Sequence, residues 1–197
     1  MIQPPGRVAF AALALSLGYL VSPVMADSNA GKAPAGPAVQ EKAPDRWAPF
    51  RVFLGRWEGT SQGKPGNGTV HREYRLVLSD RFIEVRNEAT YPPQEKNPKG
   101  EVHEDIGYLS LDRARKVYVL RQFHPEGFVN TYAAPAASTS PGPIVFATEA
   151  IENIPPGWRA RETYRFEGPD EFVEVFELAE PGKEFTTYSE TRLRRVR

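Results

Sequence analysis

Alternation of apolar and polar residues at period two is the feature that most constrains how this chain can fold. It recurs from Trp57 onward, as in 70-VHREYRLVL-78, 81-RFIEVRNEATY-91, 116-KVYVLRQF-123, 158-WRARETYRF-166 and 171-EFVEVFEL-178. Because successive side chains of a strand point to opposite faces, this pattern predicts strands rather than helices. Turn sequences such as 125-PEG-127, 155-PPG-157 and 167-EGPD-170 separate the segments. We therefore expect nine or ten short strands joined mainly by hairpins.

A meander of this length needs a way to protect its edge strands, because an open sheet leaves unpaired backbone groups that invite aggregation. We predict an all-β fold in which about 10 strands close into an antiparallel up-and-down β-barrel of calycin type. A sandwich of two sheets is the alternative. A closed barrel of eight or more strands can enclose a cavity that holds one small ligand.

The first 46 residues differ from the rest of the chain. Arg7, the apolar run 8-VAFAALALSLGYLV-21 and the small residues of 24-VMA-26 predict a secretory signal peptide over residues 1–26. We therefore expect an exported protein, periplasmic or secreted. A transmembrane anchor is the alternative, but the run is shorter than the roughly 20 residues that a span needs, so no stable membrane insertion is expected after cleavage. Residues 27–46 predict a flexible linker, and residues 47–197 the β-barrel domain.

Charge and cysteine content exclude several classes of function. Basic and acidic residues are equal at 25 each, so no nucleic-acid partner is expected. The absence of cysteine excludes disulfides and thiolate metal sites. The three histidines, His71, His103 and His124, form no HExxH, HxH or two-histidine-plus-carboxylate motif, so no metal site is predicted. His103, which precedes the Glu104-Asp105 pair, has the residue types of a weak cation site but is more typical of a solvated strand end.

Glu162 and Glu174 are the most informative polar residues, because alternation places each of them on a face with aromatic side chains. If the turn at 167–170 closes a hairpin, the two are opposite or diagonal neighbours, roughly 5 to 8 Å apart at Cβ. Two carboxylates against an apolar wall indicate a ligand-binding or acid/base pair inside a cavity. The alternative is that each forms a structural ion pair with an inward arginine such as Arg72 or Arg121.

Three short motifs follow one another along the predicted domain. They are Leu54-Gly55-x-Trp57-x-Gly59, His124-Pro125-x-Gly127-x-Val129 and Leu193-Arg194-Arg195. Together they resemble the nitrobindin-like haem-binding β-barrels, a family of the calycin superfamily also seen at the carboxyl end of THAP-type proteins. The resemblance implies a barrel floor closed by Trp57 with a last-strand arginine, Arg194, packed across it.

The same resemblance implies an axial haem histidine three residues before Leu-Arg-Arg, where this chain has Glu190. Glutamate is a poor haem ligand. We therefore expect a divergent relative without a cofactor, haem being the alternative. Tyr188 and His124 are the weak candidate ligands.

The resulting expectation is a barrel that binds a small, mostly apolar molecule in its interior and is not obviously catalytic. The predicted ligand-binding residues are Trp57, Tyr74, Tyr108, Arg121, Phe123, His124, Trp158, Glu162, Tyr164, Glu174 and Phe176. Three alternatives remain open. They are a nitrobindin-like haem or nitric-oxide protein, an enzyme that uses the two glutamates, and a filled barrel that acts as a protein-interaction module in the envelope.

Overall fold

The computed structural model describes residues 45–95, 97–136 and 142–197. A 3-10 helix, Ala48–Phe53, precedes ten strands. The strands are β1 Gly55–Gly63, β2 Gly66–Val77, β3 Phe82–Tyr91, β4 Glu101–Asp112, β5 Val117–Phe123, β6 Val129–Pro135, β7 Ile144–Glu152, β8 Arg159–Gly168, β9 Glu171–Ala179 and β10 Thr186–Arg195. The predicted signal peptide and residues 27–44 of the predicted linker lie outside the described residues. Within the described ranges, no helix has the length and hydrophobicity of a membrane span.

Hydrogen bonding closes the sheet into a barrel. Each strand pairs antiparallel with its neighbours in the chain, and β1 also pairs with β10. This arrangement confirms the predicted ten-strand up-and-down barrel and excludes the two-sheet sandwich. Closure pairs the two strands that an open sheet would leave with free backbone groups at its edges.

The 3-10 helix covers one end of the barrel. Its two phenylalanines, Phe50 and Phe53, point inward and are each 3% exposed. The ring of Phe53 packs edge-on against Phe172, with 5.2 Å between centroids. Beneath the helix, aromatic side chains fill this half of the interior, namely Tyr74, Tyr118, Phe146, Tyr164, Phe166 and Phe172. The opposite end, where the turns after β1, β3, β5, β7 and β9 lie, is left open.

The chain just before the helix also packs on the barrel. The hydroxyl of Tyr118 donates a hydrogen bond of 2.6 Å to the carbonyl of Arg46. The indole of Trp47, which is 2% exposed, donates to the carbonyl of Asp80 at 2.9 Å. Arg46, which the sequence assigns to the linker, is therefore held against the barrel.

Trp57 seals the floor of the barrel together with Arg195. The Trp57 side chain is fully buried, and its indole N–H donates to the carbonyl of Phe53 at 2.6 Å. The Arg195 guanidinium lies 4.3 Å from the centre of the indole ring. It also donates to the carbonyls of Val52 and Leu54 at 2.6 and 2.7 Å. The guanidinium thus joins the helix to the last strand through a cation-π contact and two carbonyls.

The prediction that Arg194 packs across Trp57 is wrong. Side chains alternate along β10, so Leu193 and Arg195 share the inner face while Arg194 points outward. The Arg194 side chain is 74% exposed and forms an ion pair with Glu171 at 3.2 Å. The Leu193-Arg194-Arg195 motif does contain the arginine that packs on Trp57, but that arginine is Arg195 and not Arg194.

Substitution of these two arginines should have unequal effects. We expect Arg195→Ala to lower the free energy of unfolding by about 2 kcal/mol, because the cation-π contact and the carbonyl hydrogen bonds are lost together. We expect Arg194→Ala to change it by less than about 0.5 kcal/mol, because the ion pair is exposed. Urea unfolding measures both values, and equal losses would contradict the assignment.

Candidate functional site

A cavity of about 590 Å³ occupies the open half of the barrel. Its volume lies within the range of roughly 300 to 1,000 Å³ typical of small-molecule sites. The apolar part of the wall includes Val70, Tyr91, Phe128, Trp158, Phe176 and Leu178. The polar part includes Arg72, Asn87, Asp105, Asn130, Glu162 and Glu174. The cavity therefore has apolar walls and a small set of convergent polar groups.

Glu162 and Glu174 both line this cavity, as their faces predict. The register of β8 and β9 pairs Glu162 with Phe176 and Tyr164 with Glu174, so the two glutamates are diagonal neighbours. They are 3% and 6% exposed, respectively. Their environments differ, because a guanidinium lies against only one of them.

Glu174 forms a buried ion pair with Arg72. The Nη1 atom of Arg72 lies 2.6 Å from Oε2 of Glu174, and the two side chains are 9% and 8% exposed. Burial opposes the charge on Arg72, but the Glu174 carboxylate and the hydroxyl groups of Tyr74 and Tyr164 together outweigh burial and raise the pKa of Arg72 well above its ordinary value. The Arg72 Nε also donates to Asn87 at 2.8 Å. The alternative prediction, a structural ion pair with an inward arginine, therefore holds for Glu174, and the arginine is Arg72 rather than Arg121.

Glu162 has a hydroxyl partner instead. The Tyr164 hydroxyl donates to Oε2 of Glu162 at 2.5 Å. Burial, followed by the charge of Glu174, raises the pKa of Glu162 to about 8. Burial and the neighbouring Glu162 also raise the pKa of Tyr164, so its phenol keeps its proton. At neutral pH the cavity therefore holds a mostly protonated Glu162 beside the ion pair of Glu174 with Arg72.

Asn130 supplies a free hydrogen-bond acceptor to the same cavity. Its Nδ2 donates to the Tyr132 hydroxyl at 2.8 Å. Its Oδ1 is buried and has no hydrogen-bond partner among the described residues. Buried polar atoms are normally satisfied, so this oxygen marks a position where a donor from a bound molecule or water belongs.

The mouth of the cavity brings together His103, Asp105 and His124. Alternation places His103 and Asp105 on the inner face of β4, and the β4–β5 register places His124 beside them. The Nε2 atom of His103 lies 3.4 Å from Nδ1 of His124 and 4.0 Å from Oδ2 of Asp105. The two-histidine-plus-carboxylate group absent from the linear motifs is thus present in three dimensions. Register across the β4–β5 hairpin was the signal that could have revealed it.

A tight turn fixes His124 at this rim. Gly127 has a φ of 88°, which favours glycine, and its N–H donates to the carbonyl of His124 at 2.9 Å. The imidazole stacks on Phe128, with 4.1 Å between ring centres. Burial and the nearby His103 lower the pKa of His124 to about 4. His124 is therefore neutral at physiological pH, and it lines the cavity.

Three of the predicted ligand-binding residues lie on the outer surface, which corrects the prediction. Tyr108 and Phe123 are 37% and 46% exposed, and Arg121 pairs across the strands with Tyr108 on the same outer face. On β5 the inward positions are Tyr118, Leu120 and Gln122. In this strand the polar Gln122 points inward and the apolar Phe123 points outward. Hydrophobicity alone predicts the opposite orientation.

The remaining predicted residues divide between the two halves of the barrel. His124, Trp158, Glu162, Glu174 and Phe176 line the cavity. Trp57, Tyr74 and Tyr164 lie instead in or beneath the filled half, where they pack with the helix. They form the base on which the cavity rests rather than its wall.

On β10 the position of the axial histidine of nitrobindin-like barrels points away from the interior. Glu190 lies on the opposite face of the strand from Thr191, which is 6% exposed and bonded to Ser61. A register shift between Thr187 and Ser189 places both Tyr188 and Ser189 at the cavity. Burial raises the pKa of Tyr188, so its phenol keeps its proton.

Two solved structures resemble this chain in fold, at low sequence identity. The crystal structure of Rv2717c from M. tuberculosis is 18% identical, covers 77% of this chain and 97% of that chain, and superimposes with a TM-score of 0.59. A de novo designed fluorescence-activating β-barrel is 15% identical over 74% of this chain and 94% of its own, with a TM-score of 0.40. No protein-family model and no curated protein matches the chain. The likeness to Rv2717c is one of fold.

Proposed function

We propose that the barrel binds a small, mostly apolar molecule that carries a hydrogen-bond donor, such as an amine or a hydroxyl. The observation that carries the proposal is the cavity of about 590 Å³, with its apolar walls and the unpartnered Oδ1 of Asn130. A buried acceptor without a partner costs about 1 to 3 kcal/mol. A donor group on the ligand would recover that free energy, whereas a purely apolar molecule would not.

Charge in the cavity favours a donor or a cation over an anion. The described lining contains the carboxyl groups of Asp105, Glu162 and Glu174, but only one guanidinium, that of Arg72, which Glu174 already neutralises. An arriving cation would be attracted to Asp105 and could ionise Glu162. A carboxylate ligand would instead meet like charges.

The haem implied by the nitrobindin resemblance does not fit the residues of β10. Glu190 faces outward, and the inward Ser189 and Thr191 are weak iron donors. Tyr188 reaches the cavity, but its phenol is not ionised. We accordingly propose a relative of the nitrobindin-like barrels that uses the shared interior for a different small molecule.

A tryptophan placed in the cavity should block binding. N-phenyl-1-naphthylamine is a suitable probe, because it is apolar, fluoresces on leaving water and carries one N–H donor. We expect Ala89→Trp to weaken probe binding at least 10-fold, since Ala89 is 5% exposed and lines the cavity. The matched control is Glu88→Trp, the exposed neighbour on the same strand, which should bind as the unmodified protein does.

A second cavity variant and a second probe complete this test. Ser189→Phe narrows the cavity from β10 and should also weaken binding, so one variant that fails to fold does not decide the outcome. The N-methyl derivative of the probe lacks the donor and should bind about 5-fold more weakly, the equivalent of about 1 kcal/mol. Unchanged affinity in both cavity variants would reject the interior site. Equal affinity for the two probes would reject the requirement for a donor.

A further inference from the structure

The geometry points to a divalent transition-metal site at the mouth of the cavity, formed by His103 Nε2, Asp105 Oδ2 and His124 Nδ1. We infer a mononuclear site for an ion of the Zn²⁺ or Fe²⁺ class, with open coordination positions toward the cavity. The three donor atoms come from β4 and from the turn that follows β5, and they all lie within 4.8 Å of one another. This site does not depend on the identity of the molecule bound deeper in the barrel.

The separations match those of ligands around a small cation. With bonds of about 2.0 to 2.1 Å, two donors on a tetrahedral ion lie about 3.3 to 3.4 Å apart. The two histidine nitrogens are 3.4 Å apart. The Asp105 oxygen is 4.0 Å from His103 Nε2, a gap that rotation of the carboxylate can reduce. Two imidazoles and one carboxylate, without a thiolate, form a donor set that suits zinc and iron.

The surroundings of His103 orient it as a metal ligand. Its other ring nitrogen, Nδ1, lies 3.4 Å from Oε1 of Glu126 and 3.8 Å from Oε1 of Glu101. Metal-binding histidines usually donate this second N–H to a carboxylate, which leaves the first nitrogen unprotonated. A proton on Nδ1 therefore aims the lone pair of Nε2 at the proposed ion.

Asp105 and His124 are also held in place. Asn87 donates from Nδ2 to the Asp105 carboxylate at 2.9 Å, and the side chain of Asp105 is 8% exposed. The His124 ring is fixed by its stacking on Phe128. The Nε2 atom of His124 is buried and has no partner among the described residues. Nothing described there holds the proton on one nitrogen, so Nδ1 can bind a cation while Nε2 carries the proton.

Calorimetry with Zn²⁺ on the full chain, stripped of metal with a chelator, tests the site. We expect one ion per chain, loss of that binding in His103→Ala and in His124→Ala, and about 10-fold weaker binding in Glu126→Gln. His71→Ala is the matched control, because His71 also lies near a carboxylate, Glu58, but its side chain is 59% exposed on the outer face. It should bind Zn²⁺ unchanged.

A second measurement uses the unmodified protein and so does not depend on the folding of variants. In imidazole NMR spectra, one equivalent of Zn²⁺ should shift the ring signals of His103 and His124 and leave those of His71 in place. Absence of stoichiometric binding would overturn the proposal. So would equal binding by the His103→Ala and His124→Ala proteins, or shifts confined to His71.

Discussion

Glu162→Gln is expected to abolish most of the loss of stability that the unmodified protein shows between about pH 6.5 and pH 8. The pKa of Glu162 is raised from 4.5 to about 8 in the folded barrel. The folded state therefore keeps a proton that the unfolded chain has released. This contribution is complete below pH 4.5 and is lost as the pH rises toward 8, with a slope on the order of 1.4 kcal/mol per pH unit.

Among the other titratable groups around the cavity, most contribute little to the change in stability between pH 6.5 and pH 8. The pKa of His124 is lowered from 6.5 to about 4, so His124 makes the barrel more stable as the pH rises through 6.5, which opposes the effect of Glu162, and its contribution levels off above that pH. Burial raises the pKa of Asp105, which gives Asp105 the same sign as Glu162. Arg72 and Tyr164, which also face Glu162, keep their protons throughout the window.

The measurement is urea unfolding at several pH values between 6.5 and 8. The glutamine introduced by Glu162→Gln would still accept the hydrogen bond from Tyr164, because the amide oxygen replaces Oε2. The control is Glu171→Gln on the neighbouring strand. The pKa of Glu171 is lowered by its hydrogen bond with Arg192, so its titration lies below this window. If Glu162→Gln and the unmodified protein show parallel slopes, Glu162 is not protonated in the barrel.

Arg72→Met is expected to destabilise the barrel by about 3 to 5 kcal/mol, because it leaves the Glu174 carboxylate buried without its cation. Asn87 Oδ1 also loses the donor 2.8 Å away. The double variant Arg72→Met, Glu174→Gln should recover most of the loss, since a pair of neutral groups leaves no charge unpaired. Methionine retains much of the volume of the arginine stem, which keeps the cavity created by the substitution small.

An exposed ion pair of the same barrel provides the control for Arg72→Met. Arg192 and Glu171 lie 2.6 Å apart, but their side chains are 46% and 26% exposed. Arg192→Met should therefore cost no more than about 1 kcal/mol. Urea unfolding at pH 7 measures all three variants. A loss near 1 kcal/mol for Arg72→Met, or no recovery in the double variant, would show that the pair is effectively solvated.

Strand positions follow from local sequence, and barrel closure follows from the number of strands and the need to protect their edges. Period-two alternation shows which residues share a face, and turn sequences show where a strand ends. The Glu162–Glu174 pair could be found in this way, because both residues belong to one hairpin with a short turn. The place of Trp57 in the floor is implied by the family resemblance that its glycine-flanked motif carries.

The inward face of a strand is harder to determine when both faces carry apolar groups. On β5, Phe123 is more apolar than Gln122, yet Gln122 is 9% exposed and Phe123 is 46% exposed. The choice between Arg194 and Arg195 is of the same kind, because two adjacent arginines give no contrast in hydrophobicity. Only packing against Trp57 and the helix selects the inner one.

The sequence by itself thus determined the strands, their antiparallel closure and the hairpin that brings the two glutamates together. The strands and the hairpin depend on contacts between residues near one another in the chain, and closure follows from the need to pair the two edge strands of a long meander. The tertiary structure alone decided that Arg72 neutralises Glu174, that aromatic side chains fill only half of the interior, and that His103, Asp105 and His124 meet at its mouth. Those features depend on the register between whole strands and on which face each strand turns inward, and both are fixed only when the barrel closes.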